Sequence, residues 1–153
     1  CGASTGGFTQ VSLNNGASKV YAIDVGHDQL SPLLLDDEKV VNLEGINLKN
    51  EYSLPEKVDF CVADLSFISI KLVYPTMASM LKDGGKAVVL IKPQFEAGKK
   101  RLGKGGIVKD QYQEIIKDEV LRWFAENDHK VERVIDSPIK GKTGNREYLA
   151  LIS

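Results

Sequence analysis

Apolar residues in this chain come in short runs separated by glycine and polar clusters, and their spacing switches between helical and strand periods. After the glycine-rich opening Cys1-Gly-Ala-Ser-Thr-Gly-Gly-Phe-Thr9, Phe8 to Asn15 reads as a helix stopped at Gly16. Lys19-Val-Tyr-Ala-Ile23 reads as a strand closed by Asp24. Asp28 to Leu35 predicts a helix with Pro32 in its first turn, and Val40-Val-Asn-Leu-Glu44 a short strand. Val58 to Ala63 predicts a strand and Ser69 to Leu81 a helix, with Lys82-Asp-Gly-Gly85 as the turn into the apolar run that ends at Lys92. Asp110 to Asn127 has the clearest helical period, with Ile115, Ile116, Val120, Leu121 and Phe124 on one face and Asp110 as N-cap. Two final strands, His129 to Asp136 and Glu147 to Ile152, flank a loop over 137–145.

This alternation implies an α/β fold with a mostly parallel sheet covered by helices, while the last two strands, with no helix between them, predict an antiparallel hairpin. A glycine turn normally joins a strand to a helix, and no strand precedes Cys1, so the chain reads as a fragment whose first strand is truncated. Residues 94–109 combine glycines 98, 103, 105 and 106 with Lys99, Lys100, Arg101, Lys104 and Lys109. That composition predicts a mobile basic loop that buries no core. There is no internal repeat and no low-complexity segment.

Length and charge narrow the class. A chain of 153 residues suits one domain, 1–153, and 42% hydrophobic residues with 5 prolines argue against disorder. A net charge of −1 and a pI near 6.2 provide no global basic field, so nucleic acid must be met by a local patch or by a part of the protein outside this sequence. Cys1 and Cys61 are far apart, and Cys61 lies in an apolar run where a small buried thiol is ordinary; neither a disulfide nor a metal site is expected. No apolar run approaches the length of a membrane span and no signal peptide opens the chain, which points to a soluble cytoplasmic protein.

The candidate chemistry gathers at turns and strand ends. Gly2, Gly6 and Gly7 lie where a backbone must approach a ligand closely, but their spacing is not that of a dinucleotide fingerprint, and no Gly-Lys-Ser/Thr is present for a triphosphate. A nucleoside without a diphosphate fits better; a ligand-free connection is the alternative. Asp24 closes the second predicted strand, where ribose hydroxyls are bound in such folds, or else caps the helix that follows. Asn47 is a candidate base contact or a plain loop residue. Asp64 and Lys92 each end an apolar strand, and neighbouring strands lie about 4.8 Å apart, so their side chains can meet across a crevice. A carboxylate favours the ammonium form of a neighbouring lysine. Such a lysine could orient and acidify a substrate hydroxyl, or lose its proton as an alkoxide forms; the alternative is a structural ion pair. Glu147 enters the last strand beside Arg146, either as a third member of this set or as an exposed ion pair.

Six segments carry a resemblance: Gly2-Ala-Ser-Thr-Gly-Gly-Phe-Thr9, Val20-Tyr-Ala-Ile-Asp-Val-Gly26, Asp64-Leu-Ser-Phe-Ile-Ser69, Leu90-Ile-Lys-Pro-Gln-Phe-Glu-Ala-Gly98, Gly103-Lys-Gly-Gly-Ile-Val-Lys-Asp110 and Gly144-Asn-Arg-Glu-Tyr148. In this order, along essentially the whole chain, they resemble the TlyA family, whose members carry the hemolysin name and are similar to FtsJ-type ribose methyltransferases. The resemblance implies a Rossmann-like, S-adenosylmethionine-dependent methyltransferase fold, in which the terminal hairpin is the feature that separates the sheet from ordinary dinucleotide folds. It implies 2′-O-methylation of ribosomal RNA, typically at cytidine, with ribosomal RNA or ribosomal subunits as partners. The family's catalytic set is Lys-Asp-Lys-Glu; Asp64, Lys92 and Glu147 match its last three members, and the first lysine would fall upstream of Cys1. The implied cofactor set is Gly2, Ser4, Thr5, Gly6, Gly7, Phe8, Asp24, Val25 and Asp64 from the matched motifs, with Asn47 added as the candidate base contact outside them, and no metal. An acidic residue before the glycine turn and a small N-terminal RNA-binding domain would also lie upstream.

The expected reaction is in-line methyl transfer to a ribose 2′-hydroxyl, with Lys92 acting on the hydroxyl, Asp64 and Glu147 as its electrostatic partners, and the basic loop over 98–109 lying on RNA phosphates. Two other classes compete. A catalytically silent domain that binds nucleoside or RNA would keep binding without transfer. A membrane-active hemolysin would need a spanning or strongly amphipathic segment, and the sequence has neither. The oligomeric state is not legible.

Overall fold

In the computed structural model, which describes residues 1–141 and 143–153, strands and helices alternate along the chain. Residue 142, inside the loop expected over 137–145, lies outside the described residues. The chain divides into two compact units, Cys1–Glu51 and Tyr52–Ser153.

The first unit is built from helix α1 (Gly7–Asn14), strand β1 (Val20–Ile23), helix α2 (Pro32–Leu35) and strand β2 (Val40–Leu43). β1 and β2 pair in parallel from Val20↔Val40 to Ile23↔Leu43. Their apolar residues meet the helices in a small core of Ala22, Leu30 and Leu34, flanked by Ala3, Leu13 and Val40. The helix expected over Asp28 to Leu35 is shorter than the periodicity predicts. Pro32 opens it at its first position, and Ser31 before the proline is extended (φ −55, ψ 137), as a pre-proline residue tends to be, so the turn from 28 to 31 stays outside the helix.

The second unit holds strands β3 (Val58–Ala63), β4 (Leu81–Ile91), β5 (Val131–Asp136) and β6 (Tyr148–Ile152), with helices α3 (Ile70–Met80), α4 (Pro93–Glu96) and α5 (Asp110–Glu126). Its strand order is β3-β4-β6-β5: β3 and β4 run parallel, while β6 is antiparallel to both β4 and β5. The expected terminal hairpin is present, with β6 inserted between β4 and β5. Alternation sets the buried face, since Ala87, Val89 and Ile91 of β4 lie opposite Ile152, Ala150 and Tyr148 of β6, and all are essentially inaccessible. Val73, Tyr74 and Met77 of α3 and Ile116, Val120 and Phe124 of α5 are buried too, and Tyr74 meets Phe124 edge to face with centroids 4.7 Å apart.

Three sequence expectations need correction here. Lys82–Gly85, predicted as a turn, falls within β4, but the ladder slips there: Val58 pairs with Leu81 and Phe60 with Lys86, so the glycine pair bulges out, with Gly84 at φ +75. On α5 the buried residues are Gln113, Ile116, Val120 and Phe124, whereas Ile115 is 48% exposed; the N-cap is Lys109, and Asp110 occupies the first turn. The basic segment 94–109 is folded. It contains α4, single 3-10 turns at Lys99–Arg101 and Lys104–Gly106, and a Leu102↔Val108 bridge. It also has a core of its own, Ala97, Val108 and Ile116 with Leu102 and Tyr112 packed against it. Three apolar residues scattered among the cations, Ala97, Leu102 and Val108, escaped a reading by overall composition.

Candidate active site

In the first unit the glycine turn is fastened to the end of β1. The backbone N–H groups of Gly2 and Ala3 both donate to the Ile23 carbonyl, at 2.8 and 3.0 Å. Asp24 ties two turns together, its Oδ2 accepting from the Ser4 N–H and its Oδ1 from the Gly26 N–H, each at 2.8 Å. It caps no helix, since α2 begins only at Pro32. Gly6 adopts φ +106, a conformation that calls for glycine, and a Cβ there would also press on the Leu34 and Leu30 methyl groups. Gly7 faces open space. Phe8 and Val25, each directly after a turn residue, are 38% and 64% exposed. Thr5 accepts the Ser31 N–H on its carbonyl, leaving its exposed side chain clear of that bond. Asn47 is exposed, and its Oδ1 accepts from the Lys49 N–H in a local turn.

In the second unit the strand ends bring Lys92 and Asp64 together. Lys92 Nζ lies 2.6 Å from Asp64 Oδ1, a close ion pair without the alignment of a hydrogen bond, and the lysine side chain is only 13% exposed against 40% for the aspartate. Nζ also donates to Ser66 Oγ at 3.1 Å and lies 6.0 Å from the Phe95 ring. Pro93 holds Lys92 extended and then starts α4, so the strand stops at the cation. Phe67, three residues beyond Asp64, combines φ +64 with 91% exposure and lies 5.1 Å from Phe95. A bulky residue at positive φ is a genuine outlier, and here it holds an aromatic face out to solvent.

Glu147 approaches from the third strand. Ile91↔Tyr148 pairing puts Glu147 opposite Lys92, and the residue is 7% exposed. The exposed-pair reading with Arg146 fails because the two side chains part company just before β6: Arg146 reaches Asp136 and Glu114, while Glu147 Oε1 accepts from Gln94 Nε2 at 2.8 Å. Two further polar residues went unrecognised in the sequence. Asn145, fully buried, accepts from the Val108 N–H at 2.8 Å and donates to the Gly106 carbonyl and Thr143 Oγ1, joining the basic segment to the approach of β6. Glu96 accepts from Ser69 Oγ at 2.6 Å and from the Ile70 N–H at 2.7 Å, docking α4 on the start of α3. Neither stands out from its own stretch of sequence, since Asn145 sits among Thr143, Arg146 and Glu147, and Glu96 two residues after Gln94.

A parallel pair of strands continued by an antiparallel last strand inserted beside the second, with helices packed on the sheet and charged residues collected at the strand ends, is the Rossmann-like architecture of S-adenosylmethionine-dependent methyltransferases. The FtsJ-like methyltransferase family model matches residues 1–153, and the chain belongs to that family. It is 43% identical over 150 residues to the 16S/23S rRNA (cytidine-2′-O)-methyltransferase TlyA of Mycobacterium tuberculosis, covering 96% of this chain and 56% of that protein. A solved protein of Lactococcus lactis, provisionally described as a hemolysin, is 40% identical with a TM-score of 0.92, covering 99% of this chain and 74% of that one. An S-adenosylmethionine-dependent methyltransferase of Mesorhizobium loti shares the fold alone, with a TM-score of 0.71 at 15% identity over 99% of this chain and 87% of that one. The chain spans 54–64% of the length of the curated relatives it matches.

Proposed function

We propose that residues 1–153 are a methyltransferase domain that uses S-adenosylmethionine to methylate a ribose 2′-hydroxyl, at cytidine, in ribosomal RNA or ribosomal subunits. The observation that carries this reading is the shielded Lys92–Asp64 pair at the ends of parallel neighbours β3 and β4, with buried Glu147 in register opposite the lysine. A 2′-hydroxyl is a poor nucleophile while protonated. Lys92 Nζ is the donor suited to hold its oxygen and stabilise the charge that develops as the proton passes to solvent. Asp64 restrains the ammonium, and Glu147 adds negative charge on the other side of the strand. Phe67 offers an aromatic surface of the kind on which unstacked RNA bases rest.

The residues of the first unit fit the cofactor. Each Asp24 oxygen accepts one backbone N–H and keeps a further lone pair for a ribose hydroxyl, and Phe8 and Val25 supply exposed apolar surface for a base. Gly2, Ser4, Thr5, Gly6 and Gly7 form the turn that the nucleoside would approach, and Asn47 is a candidate base contact. When bound, S-adenosylmethionine supplies an electrophilic methyl carbon on a sulfonium.

Among the described residues no helix is long and apolar enough to cross a membrane, and the reading places the protein in the cytoplasm, with the ribosome. The test is transfer of labelled methyl groups from S-adenosylmethionine to ribosomal RNA by the full-length protein and by Lys92→Ala. The variant should lose transfer while its cofactor affinity stays within a few fold. Turnover at the wild-type rate in Lys92→Ala would remove the lysine from the chemistry. Binding of nucleoside or RNA by the wild type with no transfer would make this a silent binding domain.

A further inference from the structure

We infer that Gln94 is the positioning residue for Glu147, an assignment that rests on the proposed methyl transfer. Gln94 follows Lys92-Pro93 directly and lies in α4, whose start is fixed by the proline and by the Phe95 N–H donating to the Lys92 carbonyl at 2.9 Å. Its Nε2 donates to Glu147 Oε1 at 2.8 Å. The same short turn that carries the lysine thus also grips the carboxylate opposite it, and the two charged groups are indexed to one rigid piece of backbone.

Two independent features indicate that this bond is kept for more than packing. Gly141 makes room for it: a Cβ at that position would fall 2.5 Å from Glu147 Oε1 and 3.3 Å from Gln94 Nε2, although the glycine's backbone conformation does not require glycine. Among the described residues, moreover, the buried Gln94 Oε1 atom has no hydrogen-bond partner. An unpartnered buried carbonyl carries a desolvation cost that an apolar side chain of similar shape would avoid, so the amide is retained for its donor. A donor N–H aimed at a carboxylate fixes where the negative charge lies. Placement of reacting and stabilising groups to within about 1 Å is worth up to ~100-fold in rate.

The test compares Gln94→Met, Gly141→Ala and the double variant with the full-length wild type, by kcat and KM for RNA and cofactor and by crystal structures of wild type and Gln94→Met. Methionine keeps the length of the side chain and removes the donor; alanine at 141 crowds the carboxylate and, less closely, the amide, while leaving the Gln94 donor in the chain. Each single variant should lower kcat on the order of 10- to 100-fold with both KM values within about threefold, the range expected for a misplaced group. The double variant should be no worse than the weaker single, because both act through one bond. Glu147's carboxylate should be displaced in the Gln94→Met structure. A carboxylate that stays in place, a kcat within twofold of wild type, or a raised KM with kcat intact overturns the assignment. If the wild type itself transfers no methyl group, the proposed function falls, and the carboxylate position in Gln94→Met still decides whether Gln94 places Glu147.

Discussion

Truncating Asn145 to alanine tests whether one buried amide holds the basic segment in its folded form. The side chain makes three bonds, of which the one to the Val108 N–H matters most, because Val108 is fully buried and no water can replace the lost acceptor. Leaving a buried donor unpaired costs about 1–3 kcal/mol. Gly106 and Thr143 are exposed, so water takes over those two bonds at little cost. A loss of about 2 kcal/mol follows, which for a chain of this size lowers Tm by roughly 4–8 °C. Urea and thermal unfolding of Asn145→Ala and Asn145→Asp would measure it. The aspartate keeps an acceptor for Val108 but turns an oxygen toward the Gly106 carbonyl, so it should cost less than alanine. An alanine variant within about 0.5 kcal/mol of wild type, smaller than the loss of any buried hydrogen bond, or an aspartate as damaging as alanine, would refute the accounting.

Asp24→Ala should weaken S-adenosylmethionine binding by about 1–3 kcal/mol, the range for a lost bond to a charged group; an unchanged Kd by calorimetry would confine Asp24 to bracing the Ser4 and Gly26 turns. Replacing Lys99, Lys100 and Lys104 with glutamine should lower RNA affinity and flatten its salt dependence, with cofactor affinity as the control; equal binding at low and high salt would return these lysines to plain solvation. Arg101 should behave differently. It forms a two-pronged pair with Glu119, so Arg101→Gln should lower Tm more than any of the three lysine changes. The hydrogen bond from Arg101 holds the Glu119 carboxyl below the ordinary glutamate value of 4.5. A depressed folded value means that this contribution to stability is present above that pH and fades as pH falls through the folded value, so Glu119→Gln should flatten the acid decline of Tm in that window.

The meeting of Asp64 with Lys92 was legible because each apolar run ends abruptly in a charge. Asp64 and Lys92 announced themselves because six or so apolar residues fix a strand, and a charge at its end has only the crevice to face. Glu147 was ambiguous because Arg146 beside it suggested a surface pair, and only the folded approach to β6 shows the two side chains taking separate partners. Asn145, Gln94 and Glu96 were out of reach: each bonds to a partner at least 26 residues away, and a hydrogen bond between distant loops leaves no periodic trace. The basic segment misled for the opposite reason, since its charge count hid the apolar residues Ala97, Leu102 and Val108 that anchor it.

The interior place of β6 has a bearing on how the protein is made. Strands β4 and β5 both take their partner from residues 148–152, so while the chain is being synthesised each presents bare backbone N–H and C=O groups. At about 5–20 residues per second, β4 waits roughly 3–12 s for that partner. Over that interval Lys92 has left the ribosome without Glu147, the residue in register opposite it, and the half-built sheet depends on α3 or on a chaperone to cover its edge. A nascent chain stalled before Tyr148 should therefore be held by such helpers and cut readily by protease, and releasing the last strand should close the sheet and assemble the charged cluster in a single event.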